Sequence, residues 1–296
     1  MKTIGVIVNK EKDEGLKYTK KLVETLLSKK IEVNISSDMV NELQLNSVVN
    51  PSLDEDDVLE NSEIIICLGG DGTFLRIARL AYSFDKPILG INLGTLGFLT
   101  EVDKNDIGSS IDKLLMGEYR IEERMMLEAT IMENDRLVAQ GVALNDVVIS
   151  RVALSRILHL NTYINNDFID SFPGDGLIIS SPTGSTAYSL SAGGPIVEPD
   201  VNMIIITPIC PHILYSRSFV TTGDRVVKVV VEENYLNNAM VTLDGQKGYK
   251  ISGGYSIEIK KSPHSVKLIQ LNNRNFFHVL RNKIYDRGEN LRRNEI

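Results

Sequence analysis

The sequence predicts two successive folds, an α/β domain built on a parallel sheet and then an all-β domain. Three observations carry that expectation. Up to about residue 120, short β-branched apolar runs alternate with stretches of helical period. Beyond Arg120, strand-like runs follow one another with turn residues between them. The last stretch, 275–296, turns helical and charged, and is expected to pack back on the first domain. The expected boundaries are 1–122 plus 272–296 for the α/β domain and 123–271 for the β-rich one.

Taken in order, Ile4-Gly5-Val6-Ile7-Val8 is a short apolar run ending at Asn9. Residues 13–29 place Leu16, Thr19, Leu22, Val23, Leu26 and Leu27 at helical spacing, and Ile31–Ile35 alternates with period two. The run 63–68 is almost continuously apolar, and Pro87–Ile91 is another such strand. Apolar runs of this kind separated by helices indicate a Rossmann-like parallel sheet covered on both faces. The stretch 36–58 is polar without clear period, and its Asp54-Glu55-Asp56-Asp57 reads as a solvated loop or a helix start. Strands are expected over 126–133, 142–150, 157–164, 168–172, 176–180, 203–207, 225–231, 239–243, 255–260 and 265–271. Asn134-Asp135 and Asn165-Asn166 look like hairpin tips, and one helix is expected from about Ser185.

Composition bounds the function. At 296 residues, with 43% hydrophobic and 24% charged residues, the chain can bury a sizeable core. A net charge of −7 disfavours nucleic-acid or membrane-surface binding, which wants a basic face. Two cysteines, Cys67 and Cys210, suggest a reducing compartment, and Cys67 reads as an inert core residue. Neither they nor the four histidines have a metal-ligand spacing. No apolar stretch approaches the roughly 18 residues of a membrane helix, and no secretory leader is recognisable, so the expected location is the cytoplasm.

The chemistry points to Gly69-Gly70-Asp71-Gly72-Thr73, between a buried strand and a helix whose apolar face is Phe74, Ile77, Ala78 and Ala81. Thr73 is the expected N-cap. Glycines here let backbone N–H groups approach a phosphate at the helix end that favours anions. An aspartate at an anion site needs a task, such as taking a proton from an attacking hydroxyl or holding a metal on the phosphates. The bland alternative is a tight turn in which Asp71 only caps. Neither a Walker A loop nor a GxGxxG fingerprint is present.

The turn from Leu68 to Thr73 resembles the signature shared by NAD kinases, diacylglycerol and sphingosine lipid kinases, and phosphofructokinases. Three further blocks narrow the resemblance to the NAD kinases of bacterial type. They are Asn92–Thr100, Ala143-Leu144-Asn145-Asp146-Val147-Val148-Ile149, and the glycine-rich run from Asp175-Gly176-Leu177 through Ser181–Pro195. Ile209-Cys210-Pro211-His212 and Asp244-Gly245-Gln246 also fit, while Ser218 stands where a proline is common.

That resemblance implies transfer of the γ-phosphoryl of ATP, another nucleoside triphosphate or polyphosphate to the 2′-hydroxyl of the adenosine ribose of NAD. It implies Asp71 as general base, and a divalent ion, Mg2+, carried by ATP rather than held by the protein alone. It further implies NAD contacts from Gly72, Arg76, Phe98, Asn145, Asp146, Arg156, Asp175, Thr186, Ala187, Tyr188, Ser189, Leu190, Ser191 and Gln246, and a homodimer or homotetramer. Read alone, several have plainer meanings: core packing for Tyr188 and Phe98, a turn for Asp175 and Gln246, a solvated helix position for Arg76. A lipid kinase using the same turn and a non-catalytic NAD(P) sensor are the competing functions.

Overall fold

The computed structural model describes residues 3–44, 50–52, 54–95, 97–152, 157–235, 238–272 and 275–283. Two compact units result, Met1–Glu122 with Lys267–Ile296, and Glu123–Val266.

The first unit runs β1 (Thr3–Val8), α1 (Lys17–Ser28), β2 (Glu32–Ser36), α2 (Ser37–Leu43), β3 (Asn50–Ser52), α3 (Glu55–Glu60), β4 (Ile64–Gly69), α4 (Asp71–Ala81), β5 (Ile88–Asn92), β6 (Val102–Asp103) and α5 (Ile107–Met116). The strands pair in parallel in the order β3-β2-β1-β4-β5, with β6 beside β5. Every residue of β4 is buried, as expected for a strand covered on both faces. Ile4, Val6, Leu22, Leu26, Ile66 and Leu68 belong to the core that α1 helps close. Each fully buried side chain of this size contributes about 1.5–3 kcal/mol. The chain moves to one side of β1 for β2 and β3 and to the other for β4 and β5. Such a reversal opens a crevice at the carboxyl ends of the two central strands, where Asn9 and the Gly69–Asp71 turn stand.

Two local expectations are corrected. The helix predicted over 13–29 starts only at Lys17, because Gly15 and Leu16 take positive φ (63° and 54°) within the 3-10 turn Glu14–Leu16. The buried Asp13 carboxylate anchors that start, accepting from the N–H groups of Tyr18 (3.0 Å) and Thr19 (2.8 Å). Within the seemingly aperiodic 36–58 stretch, α2 buries Met39, Val40 and Leu43, a stripe too short to stand out among polar neighbours. Asp54 does open a helix, accepting from Asp57 N at 3.0 Å.

In the second unit follow β7 (Arg120–Glu133), β8 (Arg136–Ala143), β9 (Asp146–Arg151), β10 (Leu158–Ile164), β11 (Asp167–Gly174), β12 (Gly176–Ser180), α6 (Tyr188–Ser191), β13 (Met203–Ile209), β14 (Phe219–Thr222), β15 (Val227–Val231), β16 (Ala239–Leu243), β17 (Lys247–Ile251) and β18 (Tyr255–Gln270). One antiparallel sheet has the order β14-β13-β12-β9-β16-β17. The other is β11-β10-β15-β18, with β7 beside β18 and β8 beside β7. Their inner faces share one core that includes Leu127, Ile149, Leu160, Leu177, Ile204, Val229, Val241 and Ile257. Both expected hairpin tips are two-residue turns with positive φ at each position: Asn134 and Asp135 (46°, 60°), Asn165 and Asn166 (49°, 73°).

The strand expected over 142–150 is interrupted at Leu144-Asn145, and that break builds part of the site below. From Lys267 onward β18 belongs to the first unit, where Leu268 pairs with Ile88. The buried Glu101 carboxylate then accepts from Leu271 N and Asn272 N, the latter at 2.7 Å. Residues 276–283 are helical, and the Phe276 ring lies 6.3 Å from that of Phe98. The remainder of the expected tail helix, 284–296, lies outside the described residues.

Candidate active site

In the first unit the Gly69–Thr73 turn joins β4 to α4. Gly70, not Thr73, is the N-cap, so Asp71 is the first residue of the helix and Thr73 lies inside its first turn. The correction has a steric cause: the Thr73 side chain is buried under Gly69, where an added Cβ would stand 2.5 Å from Thr73 Oγ1. Asn9 Nδ2 donates to that hydroxyl at 3.1 Å, and Asn9 N donates to Leu68 O at 2.9 Å, tying the loop after β1 to the turn.

The Asp71 carboxylate is held by the 98–100 loop. Oδ1 accepts from Leu99 N (3.2 Å), Thr100 N (3.2 Å) and Thr100 Oγ1 (3.2 Å). Oδ2 accepts one bond, from Phe98 N at 2.8 Å. An ionised carboxylate has about four acceptor positions, two on each oxygen, so among the described residues Oδ2 is the oxygen that keeps room for a further donor. Gly97 makes this possible, because a Cβ there would stand 1.8 Å from Asp71 Oδ1. Beside Gly72, by contrast, an added Cβ would meet nothing within 4 Å. At this second residue of α4 no side chain covers the helix N-terminus, the end whose dipole favours anions.

In the second unit, Leu144 and Asn145 form a bend between β8 and β9. Its backbone is fastened by Asp244, whose carboxylate accepts from Leu144 N (2.9 Å), Asn145 N (2.7 Å) and Asp146 N (3.2 Å). Asp244 and Gly245 both have positive φ (52°, 64°) in the turn between β16 and β17, which aims that carboxylate back at the bend. On the other side, Ser181 N and Ser180 Oγ donate to Asn145 O (2.9 and 3.2 Å), and Ser181 Oγ donates to Leu144 O at 2.5 Å. Gly184 comes so close that a Cβ would stand 2.1 Å from Asn145 O. Asp146 is 5% exposed, and its carboxyl is pushed up to about 7, first by burial and then by the nearby Asp244 carboxylate.

The helix expected from Ser185 is a 3-10 turn, Thr183–Thr186, followed after Ala187 by the single turn α6. Within it Ser189 is buried and shares a hydrogen bond with Thr207 (3.0 Å), while Thr186 Oγ1 donates to Thr183 O (3.3 Å). Leu190 is half-buried and Ser191 exposed. Tyr188 is 46% exposed, so core packing is not its role. Gln246 is an exposed residue of the turn between β16 and β17, its N–H donating to Leu243 O at 3.0 Å.

Asp175 stands at the other end of the same ladder, where Ser150 pairs with Gly176, whereas Asp146 pairs with Ser180. Four rises of about 3.3 Å separate the two ends, roughly 13 Å. Asp175 accepts from Arg151 Nε at 2.7 Å. Arg76 is engaged end-on by Glu55, Nη1 and Nη2 each donating to one carboxylate oxygen. Phe98 is half-buried, and Arg156 lies outside the described residues. Sequence reasoning passed over Asn9, Asn92 and Gly97 and the fastening role of Asp244. Only their places inside or beside the quoted blocks could have drawn attention to them.

Known proteins resemble this chain along most of its length. The ATP-NAD kinase N-terminal domain family matches residues 4–119, and the ATP-NAD kinase C-terminal domain family matches residues 144–271. A NAD kinase of Acetivibrio thermocellus is 54% identical, covering 99% of this chain and 100% of its own. One from Ruminiclostridium cellulolyticum is 50% identical over 98% and 100%. Among solved structures, yeast NADH kinase complexed with NADH superposes with a TM-score of 0.85 at 22% identity, covering 95% of this chain and 86% of that one, a likeness of fold. An Archaeoglobus fulgidus NAD kinase in complex with ATP superposes at 0.75 with 26% identity, covering 96% and 98%.

Proposed function

The chain belongs to the NAD kinase family, and from that premise we infer that it transfers the γ-phosphoryl of ATP to the 2′-hydroxyl of the adenosine ribose of NAD, forming NADP and ADP. The observation that carries the mechanism is the unevenly loaded Asp71 carboxylate. Three donors on Oδ1 and one on Oδ2 lock its orientation, and Oδ2 retains an acceptor position for the ribose hydroxyl. The hydroxyl proton passes to Oδ2 as the ribose oxygen attacks the γ-phosphorus and ADP departs. Gly69, Gly70, Gly72 and Thr73 surround the phosphates with the N-terminus of α4, whose dipole offsets their charge.

Asn145 and Asp146 take the adenine edge and the ribose hydroxyls, helped by Gln246, Phe98 and the Thr186–Ser191 segment, with the Tyr188 ring stacking on the base. Asp175, at the far end of the ladder, suits the nicotinamide carboxamide of an extended dinucleotide. Arg76 reaches phosphate only by giving up Glu55, and Arg156 is assigned a basic contact by family resemblance alone. A divalent ion, Mg2+, arrives with the triphosphate and neutralises its charge. Among the described residues no group of three or more His, Cys, Asp or Glu side chains could hold an ion by itself. No helix among them is long and apolar enough to cross a membrane. A cytoplasmic homodimer or homotetramer completes the proposal, with ATP, another nucleoside triphosphate or polyphosphate as donor.

The test is NADP formation by wild type and Asp71→Asn, with NAD binding measured separately. Asparagine keeps the shape but sets an NH2 group against one of the backbone donors. Binding is expected to persist while turnover falls by about 100- to 10,000-fold. Undiminished turnover would remove the proposed base.

A further inference from the structure

We propose that Lys12 is the cation that engages the phosphate chain of the phosphoryl donor above Gly70. The proposal rests on the kinase reading above and adds a binding residue to it. Lys12 lies in the loop between β1 and α1, and its ammonium nitrogen is 3.0 Å from the position a Cβ on Gly70 would occupy. The charge thus sits directly over the bare backbone of the turn, at the same end of α4 as Asp71.

The loop that holds it is built from both sides. Lys12 N donates to Asn9 O (3.1 Å), Glu11 N donates to Asn9 Oδ1 (3.1 Å), and Asn9 is itself tied to Leu68 and Thr73. On the far side the buried Asp13 is fixed by Thr19, whose hydroxyl donates to it at 2.6 Å. The position of the Lys12 backbone is therefore determined, although its side chain is exposed. Other cations of this crevice are committed: Lys10 pairs with Glu42 and Arg76 with Glu55. Lys12 forms no ion pair among the described residues.

A second observation points to a ligand at the same place. Asn92, at the end of β5, is 1% exposed, and its Nδ2 has no hydrogen-bond partner among the described residues. Its Oδ1 lies 3.8 Å from the same Gly70 Cβ position. A buried amide nitrogen without a partner costs free energy that a bound acceptor would offset. An uncommitted ammonium, a buried amide and a helix N-terminus around one glycine describe a site for a polyanion.

The experiment compares wild type, Lys12→Ala and Lys12→Arg. The KM values for ATP and NAD are measured together with thermal stabilisation by inorganic tripolyphosphate. Loss of a charge-assisted contact is expected to raise the KM for ATP by about 10- to 100-fold. The KM for NAD should stay within about twofold, the unliganded melting temperature should not move because the side chain is exposed, and arginine should restore much of the loss. Stabilisation by tripolyphosphate should vanish in Lys12→Ala. A Lys12→Ala variant that matches wild type in ATP KM and tripolyphosphate stabilisation overturns the proposal, as does one whose defect falls on NAD. If wild type makes no NADP, the kinase reading fails, and the tripolyphosphate comparison still decides the role of Lys12.

Discussion

Asp146→Asn separates electrostatics from shape at the bend before β9. The native carboxyl is 5% exposed and titrates near 7 instead of 3.8, chiefly because burial disfavours its charge and secondarily because Asp244 stands beside it. Between those values the folded protein keeps a proton that the unfolded chain has released. Native stability therefore falls as pH rises from about 4 to 7, and above 7 the full penalty is present. A shift of about three pH units corresponds to at most about 4 kcal/mol. Asparagine has a similar volume and no charge to bury. Unliganded Asp146→Asn should therefore be more stable than wild type at pH 8, by one to several degrees in Tm per kcal/mol recovered, and the gap should close towards pH 5. Thermal melts of both proteins at pH 5, 6, 7 and 8 test this. A wild type and a variant with parallel pH dependence, or a gap that widens towards acid, would refute the reasoning. The same carboxyl predicts function: if the ionised form accepts from NAD hydroxyls, the KM for NAD falls as pH rises through 7 in wild type and becomes flat in the variant.

Gly97→Ala should disable the reaction by displacing the Asp71 carboxylate while leaving Asp71 itself in the sequence. The new methyl would begin 1.8 Å from Asp71 Oδ1, so the carboxylate must leave its N–H cradle. Turnover should fall by about 100-fold or more, measured as NADP formation, with NAD binding largely kept. Thiol labelling checks the core assignment: Cys210 is exposed, while Cys67 is buried and its thiol is pushed up to about 12, mainly by burial. One thiol per chain should react in native protein and two after denaturation. Two fast-reacting native thiols would show that β4 is not closed.

The parallel sheet was legible because β4 and β5 are continuous apolar runs, a pattern that burial on both faces imposes. The Asn-Asn and Asn-Asp hairpin tips were legible for an equally local reason, since positive φ at both positions favours those residues. α2 escaped because seven residues with three buried ones give too little periodic signal. The cap of α4 was misplaced because Thr73 is a good cap by type, whereas its packing under Gly69 consigns it to the first turn.

By itself the sequence determined the two-part architecture, the phosphate turn and the family blocks around it, because period, glycine spacing and residue type are local properties of the chain. Tertiary structure alone decided what the polar groups do. It gave Asp71 three backbone donors from residues 27 to 29 positions away, aimed Asp244 at a bend about 100 positions earlier, and set Lys12 over Gly70. Hydrogen bonds and charges act over a few ångströms of space, and only the folded backbone brings such distant positions within that reach.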